Sequence, residues 1–149
     1  MEQTLKQQVN ISAPNLLNIC IDQVCDGEMK GRFYHCYAHE PETFSNVIEM
    51  IQKAEDLFER LSFPQASTRA RSFVNQETTS VAKRPEKCMN QEDLFVHKGA
   101  LGTFITFVKF RQKSTWQGET FWVEGETKNH FLNVLDFIKM MDKSIGKQH

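Results

Sequence analysis

A duplicated pattern is the feature that most restricts the fold of this chain. Gly118 follows Gly31 by 87 residues (118 − 31 = 87), and the same offset aligns further identical residues. These pairs are Phe44 with Phe131, Asn46 with Asn133, Val47 with Val134 and Ile51 with Ile138. Because this stretch needs no gap, the pattern predicts a structural unit that occurs twice.

The first copy is predicted to contain two strands and a helix. Residues 15–24 are apolar and rich in β-branched side chains, and residues 31–38 are aromatic, so both stretches favour strands. Cys25-Asp26-Gly27 between them is a turn signal. Apolar residues then recur at three- and four-residue spacing from Phe44 onward, which predicts a helix with Thr43 as its N-cap.

The second copy repeats this order. Residues 103–111 and 118–124 are the predicted strands, and a helix that carries Phe131 on its apolar face is expected after Asn129 or His130. The first of these strands is apolar on both faces, which is typical of a central strand.

Together the copies predict an α+β domain in which an antiparallel sheet of about four strands carries two helices on one face. At 149 residues the chain has room for one such domain. Its expected parts are a flexible arm (residues 1–14), repeat 1 (15–61), a linker (62–92) and repeat 2 (93–149), with a short extra strand at residues 94–97.

Strand alternation then divides the side chains between the two faces of the sheet. The more apolar set is assigned to the face under the helices: Tyr34, Cys36, Ala38, Phe121, Val123 and Gly125. The opposite set is expected on the open face: Phe33, His35, Tyr37, Thr120, Trp122 and Glu124. Three uses of that aromatic strip stay open, namely cover by the linker, a protein interface and a ligand platform.

Composition sets limits on location and partners. The formal net charge is −1, which favours neither nucleic acid nor an anionic membrane as a partner. A polar beginning without an apolar segment predicts no signal peptide, and no apolar run is long enough for a membrane span. We therefore expect a soluble cytoplasmic protein whose four cysteines are reduced thiols.

Motifs for catalysis or metal binding do not emerge from the spacing. His35 and His39 would lie about 13 Å apart on a strand, too far to share one ion. Neither a nucleophile motif nor a phosphate-binding loop is found. The expectation is a protein that is not an enzyme and that has no metal and no cofactor.

Two ligand alternatives depend on basic and aromatic residues. Lys109, Arg111 and Lys113 with Trp116 are the best candidates for contacting nucleic acid. Residues 113–118 (KSTWQG) also resemble the [DN]-x-S-x-x-G motif of cyclic-dinucleotide receptors of the PilZ type, although a lysine stands where that motif has Asp or Asn. That resemblance implies a nucleotide ligand.

A broader resemblance covers the chain from about residue 16 to residue 145. The segments that carry it are Phe63-Pro64-Gln65-Ala66-Ser67, Arg71-Ser72-Phe73, Phe110-Arg111-Gln112, Ser114-Thr115-Trp116-Gln117-Gly118 and a closing helix near Met141-Asp142-Lys143-Ser144. With these segments the chain resembles a family of short bacterial proteins with no assigned activity. The resemblance implies a bacterial, cytoplasmic setting and one compact domain.

The sequence therefore predicts a non-enzymatic binding or regulatory protein that acts through protein contacts, such as an inhibitor of another macromolecule or a homodimer. The alternatives are a small-ligand or nucleotide sensor and, with less support, a nucleic-acid-binding protein; no membrane contact is expected. The candidate binding residues are Arg69, Arg71, Arg111, Trp116, Gln117, Trp122, Phe33, His35 and Tyr37.

Overall fold

The computed structural model describes residues 15–61, residue 88, residues 91–112 and residues 115–148. The predicted arm and most of the linker, with Arg69 and Arg71, lie outside these ranges. The described elements, in chain order, are β1 (Leu17–Cys25), β2 (Glu28–Tyr34), β3 (Glu42–Phe44), α1 (Val47–Leu61), α2 (Gln91–Leu94), β4 (Gly102–Gln112), β5 (Thr115–Trp122), β6 (Thr127–Phe131) and α3 (Val134–Gln148).

The strands form one antiparallel sheet in the order β3-β2-β1-β4-β5-β6. The α+β class is confirmed, and so is the central position of the strand predicted at residues 103–111. At the middle of the sheet Asn18 pairs with Ile105 (105 − 18 = 87). A twofold axis that relates the two halves would therefore pass through this pair.

The predicted count of four strands is wrong, because each half contains a third, short strand. Phe44 and Phe131 have the spacing of helix residues, but they belong to β3 and β6 and pair with Gly31 and Gly118. The helices begin three residues later than that spacing suggests, at Val47 and Val134. Each half is therefore βββα rather than ββα.

Asparagine caps explain where both helices begin. The Asn46 Oδ1 accepts the main-chain N–H of Glu49 at 2.8 Å, and the Glu49 carboxylate accepts that of Ser45 at 2.8 Å. The Asn133 Oδ1 accepts from Asp136 at 2.8 Å in the same way. These reciprocal bonds satisfy N–H groups that the first helical turn leaves unpaired, so Thr43, Asn129 and His130 are not the caps.

Close backbone approach explains the two aligned glycines. A Cβ atom at Gly31 would lie 2.0 Å from the Cys20 oxygen, and one at Gly118 would lie 2.1 Å from the Phe107 oxygen. Only glycine fits at either position. Since Phe107 follows Cys20 by the same offset (107 − 20 = 87), the two halves share this packing detail as well as their elements.

Both helices pack on the same face of the sheet. One core cluster contains Met50 and Phe58 of α1, Phe137 and Met141 of α3, and Ile19 from the middle of the sheet. The expectation that two helices cover one face is therefore correct.

The assignment of strand side chains to the two faces is wrong. Phe33 lies in the helix-side core and Trp122 packs against it, whereas Tyr34, Cys36 and Phe121 lie in a second buried cluster on the opposite face. The more apolar set was assigned to the helices because the other face was expected to be open. That face is also covered, so its side chains are apolar too.

The cover on the opposite face is a segment that we call the strap, residues 91–101. The extra strand expected at residues 94–97 does not form: α2 ends at Leu94, and a turn follows. Leu94 and Phe95 are buried in the second cluster. Asn18 holds the strap at the centre of the sheet, because its Nδ2 donates to the Leu94 and His97 carbonyl oxygens. The His97 ring stacks on Tyr34 with centroids 3.7 Å apart.

Candidate functional site

Two of the sequence-predicted binding residues form a buried polar cluster with helix α1. The Arg111 Nη1 lies 2.8 Å from the Glu55 Oε1 and 3.0 Å from the Glu59 Oε2. The Trp116 indole N–H donates to the other Glu55 oxygen at 2.6 Å. The Arg111 side chain is 4% exposed and Trp116 is fully buried. This cluster joins the β4–β5 hairpin to the helix of the first half.

The cluster has no equivalent in the other half. Subtracting 87 places Val24 at the position of Arg111 and Met29 at that of Trp116. Neither side chain can form an ion pair. Arg111 and Trp116, two of the residues that the sequence suggests for ligand binding, therefore bond to the helix of the first half.

Three further candidates lie beneath the helices. Phe33 and His35 are buried, and Tyr37 is partly buried and packs against both core clusters. The main-chain N–H of Tyr37 donates to the His35 Nδ1 at 3.1 Å. Burial, assisted by the charge of Arg60, lowers the pKa of His35 to about 4, so the imidazole is neutral at pH 7.

Trp122 occupies the position in the second half that His35 occupies in the first (122 − 35 = 87). It too packs against the helix-side core. Phe33, His35, Tyr37 and Trp122 therefore do not form the open aromatic strip that the sequence suggests. Gln117 is exposed on the opposite face of the sheet, apart from the other candidates.

Two exposed large apolar side chains lie near Gln117. Gln117 pairs with Phe110 across the β4–β5 ladder, and the adjacent pair is Gly118 with Phe131. Strand β6 ends at Phe131, and Leu132 is the first residue after it, at the position that would face Gln117 if the ladder continued by one pair. Phe110 and Leu132 are each 65% exposed. We call Phe110, Gln117 and Leu132 the exposed row.

The equivalent row in the first half is polar. An offset of 87 relates Phe110 to Gln23, Gln117 to Lys30 and Leu132 to Ser45. The two halves share their strands and helix caps, and the β1–β2 and β4–β5 ladders each have a register shift at the same relative position. The fold itself therefore does not require apolar side chains in the row. The apolar character belongs to the second half alone.

A charged cluster borders the exposed row. The Glu119 carboxylate lies 2.9 Å from the Lys109 Nζ, 3.7 Å from the His130 Nδ1 and 3.9 Å from the Lys128 Nζ. Burial opposes ionisation of Glu119, but the hydrogen bond and charge of Lys109, with the other two residues, hold its pKa below the ordinary value. The Glu119 side chain is 13% exposed, against 42% for Lys109 and 35% for Lys128. Water therefore meets mainly the cationic groups.

The first half has the same pair with the charges exchanged. Asp22 stands at the position of Lys109, and Arg32 at that of Glu119. These two side chains form an ion pair and bind the strap: Asp22 accepts the Ala100 N–H at 3.1 Å, and Arg32 donates to the Lys98 carbonyl oxygen at 3.1 Å. On the first half, this position of the sheet is thus a site where a chain segment is bound.

Sequence reasoning identified Gln117 but missed Phe110 and Leu132 as its neighbours. The helical spacing predicts Leu132 inside a helix, so it gives no indication that this residue follows a strand. The signal was available in the offset, which aligns each apolar residue of the row with a polar one.

Within the described ranges, no group of three or more His, Cys, Asp or Glu residues is arranged to hold a metal ion. No helix in the same ranges is long and apolar enough to cross a membrane. No family model, curated protein or solved structure matches the chain.

Proposed function

We propose that this chain is a non-enzymatic binding protein that contacts another protein through the exposed row. The observation that carries the proposal is the difference between two halves of equal fold. Phe110 and Leu132 are each 65% exposed, where the first half has Gln23 and Ser45. Removing such a side chain from water contributes about 1.5–3 kcal/mol, so a partner that covers the row gains a useful share of its affinity.

The surroundings of the row also have the composition of a protein interface. Single exposed apolar residues are ordinary, but here two flank an exposed amide, and a charged cluster borders them. An apolar centre with a polar, solvated rim is the usual anatomy of a contact surface between proteins.

The small-ligand alternative has less support from the geometry. It places the ligand on Arg69, Arg71, Arg111 and the turn at residues 116–118. Arg69 and Arg71 lie outside the described residues, and the side chains of Arg111 and Trp116 are buried and bound to Glu55. A nucleotide at this place would have to displace Glu55 and Glu59 from the guanidinium.

Site-specific photocrosslinking in the native cells tests the proposal. A photoreactive phenylalanine analogue replaces Phe110, and the matched control carries it at Ile48, which is 66% exposed on α1. We expect discrete protein adducts from position 110 and not from position 48. The adducts should disappear when Leu132→Ser is added, because that change introduces the polar residue of the first half.

Two results would contradict the proposed function. One is the same adduct pattern from positions 110 and 48, which would indicate random collision. The other is no adduct from position 110 in a folded protein that is expressed at its normal level.

A further inference from the structure

The strap shows how a chain segment binds to this sheet. After the stacked His97, its main chain passes over the Asp22–Arg32 pair, and each side chain of that pair bonds to it. The Leu101 N–H then donates to the Ile21 oxygen at 2.8 Å. A segment that crosses the strands at this position is thus bound through its main chain and by one charged pair.

The second half presents the corresponding pair with reversed charge and an apolar row beside it. Lys109 and Lys128 are the exposed members of the charged cluster, and Glu119 is mostly covered. Two lysines and one carboxylate give this surface a formal charge of +1, even though the whole chain has a formal net charge of −1.

From these observations we infer that the exposed row binds an acidic, extended segment of a partner protein. The inference rests on the proposed function and specifies the class of partner. Apolar side chains of the segment pack on Phe110 and Leu132, while its carboxylates pair with Lys109 and Lys128. Its main chain lies over the sheet as the strap does on the first half.

Charge complementarity separates this partner from two others. A second copy bound about a twofold axis would bring the same lysine-bearing surface from both chains into one interface, so like charge would accumulate there without being complemented. A nucleic acid would satisfy the lysines, but its phosphate backbone has no apolar group to cover Leu132. An acidic peptide with apolar residues satisfies both parts of the surface.

Two synthetic peptides based on the strap provide the test. The strap sequence at residues 94–101 is LFVHKGAL. The acidic probe, LFVEEGAL, has glutamate at the positions of His97 and Lys98, and the basic probe, LFVKKGAL, has lysine there. Both are acetylated, amidated and labelled with fluorescein, and binding to the full chain is measured by anisotropy. We expect the acidic probe to bind about tenfold more tightly, and its affinity to fall as salt is raised.

Three variants of the full chain show which surface binds the acidic probe. The double change Phe110→Gln and Leu132→Ser should weaken the acidic probe about tenfold, since each side chain contributes apolar contact. Lys109→Gln should reduce the preference for the acidic probe to about threefold. Ile48→Ser removes an equally exposed apolar residue elsewhere and should leave both affinities unchanged.

Several outcomes would overturn the inference. Equal binding of the two probes would remove the charge argument, and tighter binding of a labelled oligothymidine would assign the surface to nucleic acid. Adducts from position 110 that contain only a second copy would assign it to a dimer, and acidic-probe binding that requires deletion of residues 1–14 would assign it to that segment of the chain. If neither probe binds but position 110 still crosslinks to another protein, this inference fails while the proposed function stands.

Discussion

At the scale of single residues, burial gives His35 a pH-dependent effect on stability. The fold holds the imidazole in its neutral form, because desolvation and Arg60 lower its pKa from 6.5 to about 4. The unfolded chain binds a proton at this residue below about pH 6.5, whereas the folded chain does so only near pH 4. The free energy of unfolding therefore falls as the pH drops through this window, by about 3 kcal/mol at most.

Replacing His35 tests this effect directly. The His35→Gln variant should lose less stability than the parent chain between pH 7 and pH 4.5, because glutamine does not titrate. Urea unfolding at both pH values measures the difference, and His39→Gln, at an exposed histidine, is the control. An unchanged pH dependence in His35→Gln would show that His35 is protonated as easily in the folded chain as in the unfolded chain.

At the scale of elements, the asparagine caps determine where both long helices begin. Asn46 and Asn133 make the same 2.8 Å bond to the third residue of their helices. We expect Asn46→Ala and Asn133→Ala each to lower the free energy of unfolding by about 1 kcal/mol, because each leaves a main-chain N–H without its partner. The matched control is Asn129→Ala in β6, which changes an asparagine that caps nothing.

Urea unfolding of these three variants distinguishes the real caps from the one that the sequence suggests. The Asn129→Ala change should stay within about 0.5 kcal/mol of the parent chain. A large loss of unfolding free energy in Asn129→Ala, with none in Asn133→Ala, would indicate that the helix begins at the position that the sequence suggests.

The elements also show what could be predicted and why the rest could not. Long segments with a clear hydrophobic period predict four of the strands and both long helices. A three-residue strand such as β3 has too few residues to show alternation, and Phe44 fits the helical spacing equally well. The sequence-based assignment of side chains to the two faces of the sheet is reversed because both faces are covered. Apolar character then no longer shows which face lies under the helices.

At the scale of the whole molecule, function depends on where two similar halves differ. The Arg111 cluster and the exposed row both lack a counterpart in the first half. Sequence reasoning chose Arg111 and Trp116 for their chemistry but could not know their burial, which comes from Glu55, a residue 56 positions away from Arg111. Contacts between halves are tertiary, and no local pattern reports them. The exposed row was hidden for the same reason, since its three residues come from β4, from β5 and from the position after β6.

The Arg111 cluster is expected to hold the two halves in their mutual arrangement. Arg111→Met should lower the free energy of unfolding by about 2 kcal/mol, because it removes a guanidinium that is 4% exposed from beside Glu55, whose side chain is only 24% exposed. Val24→Met, at the equivalent position of the first half, changes a 40% exposed side chain and should have little effect.

A double variant distinguishes the lost ion pair from simple loss of packing. Adding Glu55→Gln to Arg111→Met removes the uncompensated charge but keeps an oxygen for the Trp116 indole N–H. The two changes together should therefore cost less than the sum of their separate costs, as measured by urea unfolding in a double-mutant cycle. Strict additivity would show that Arg111 stabilises the protein by filling space and not by pairing with Glu55.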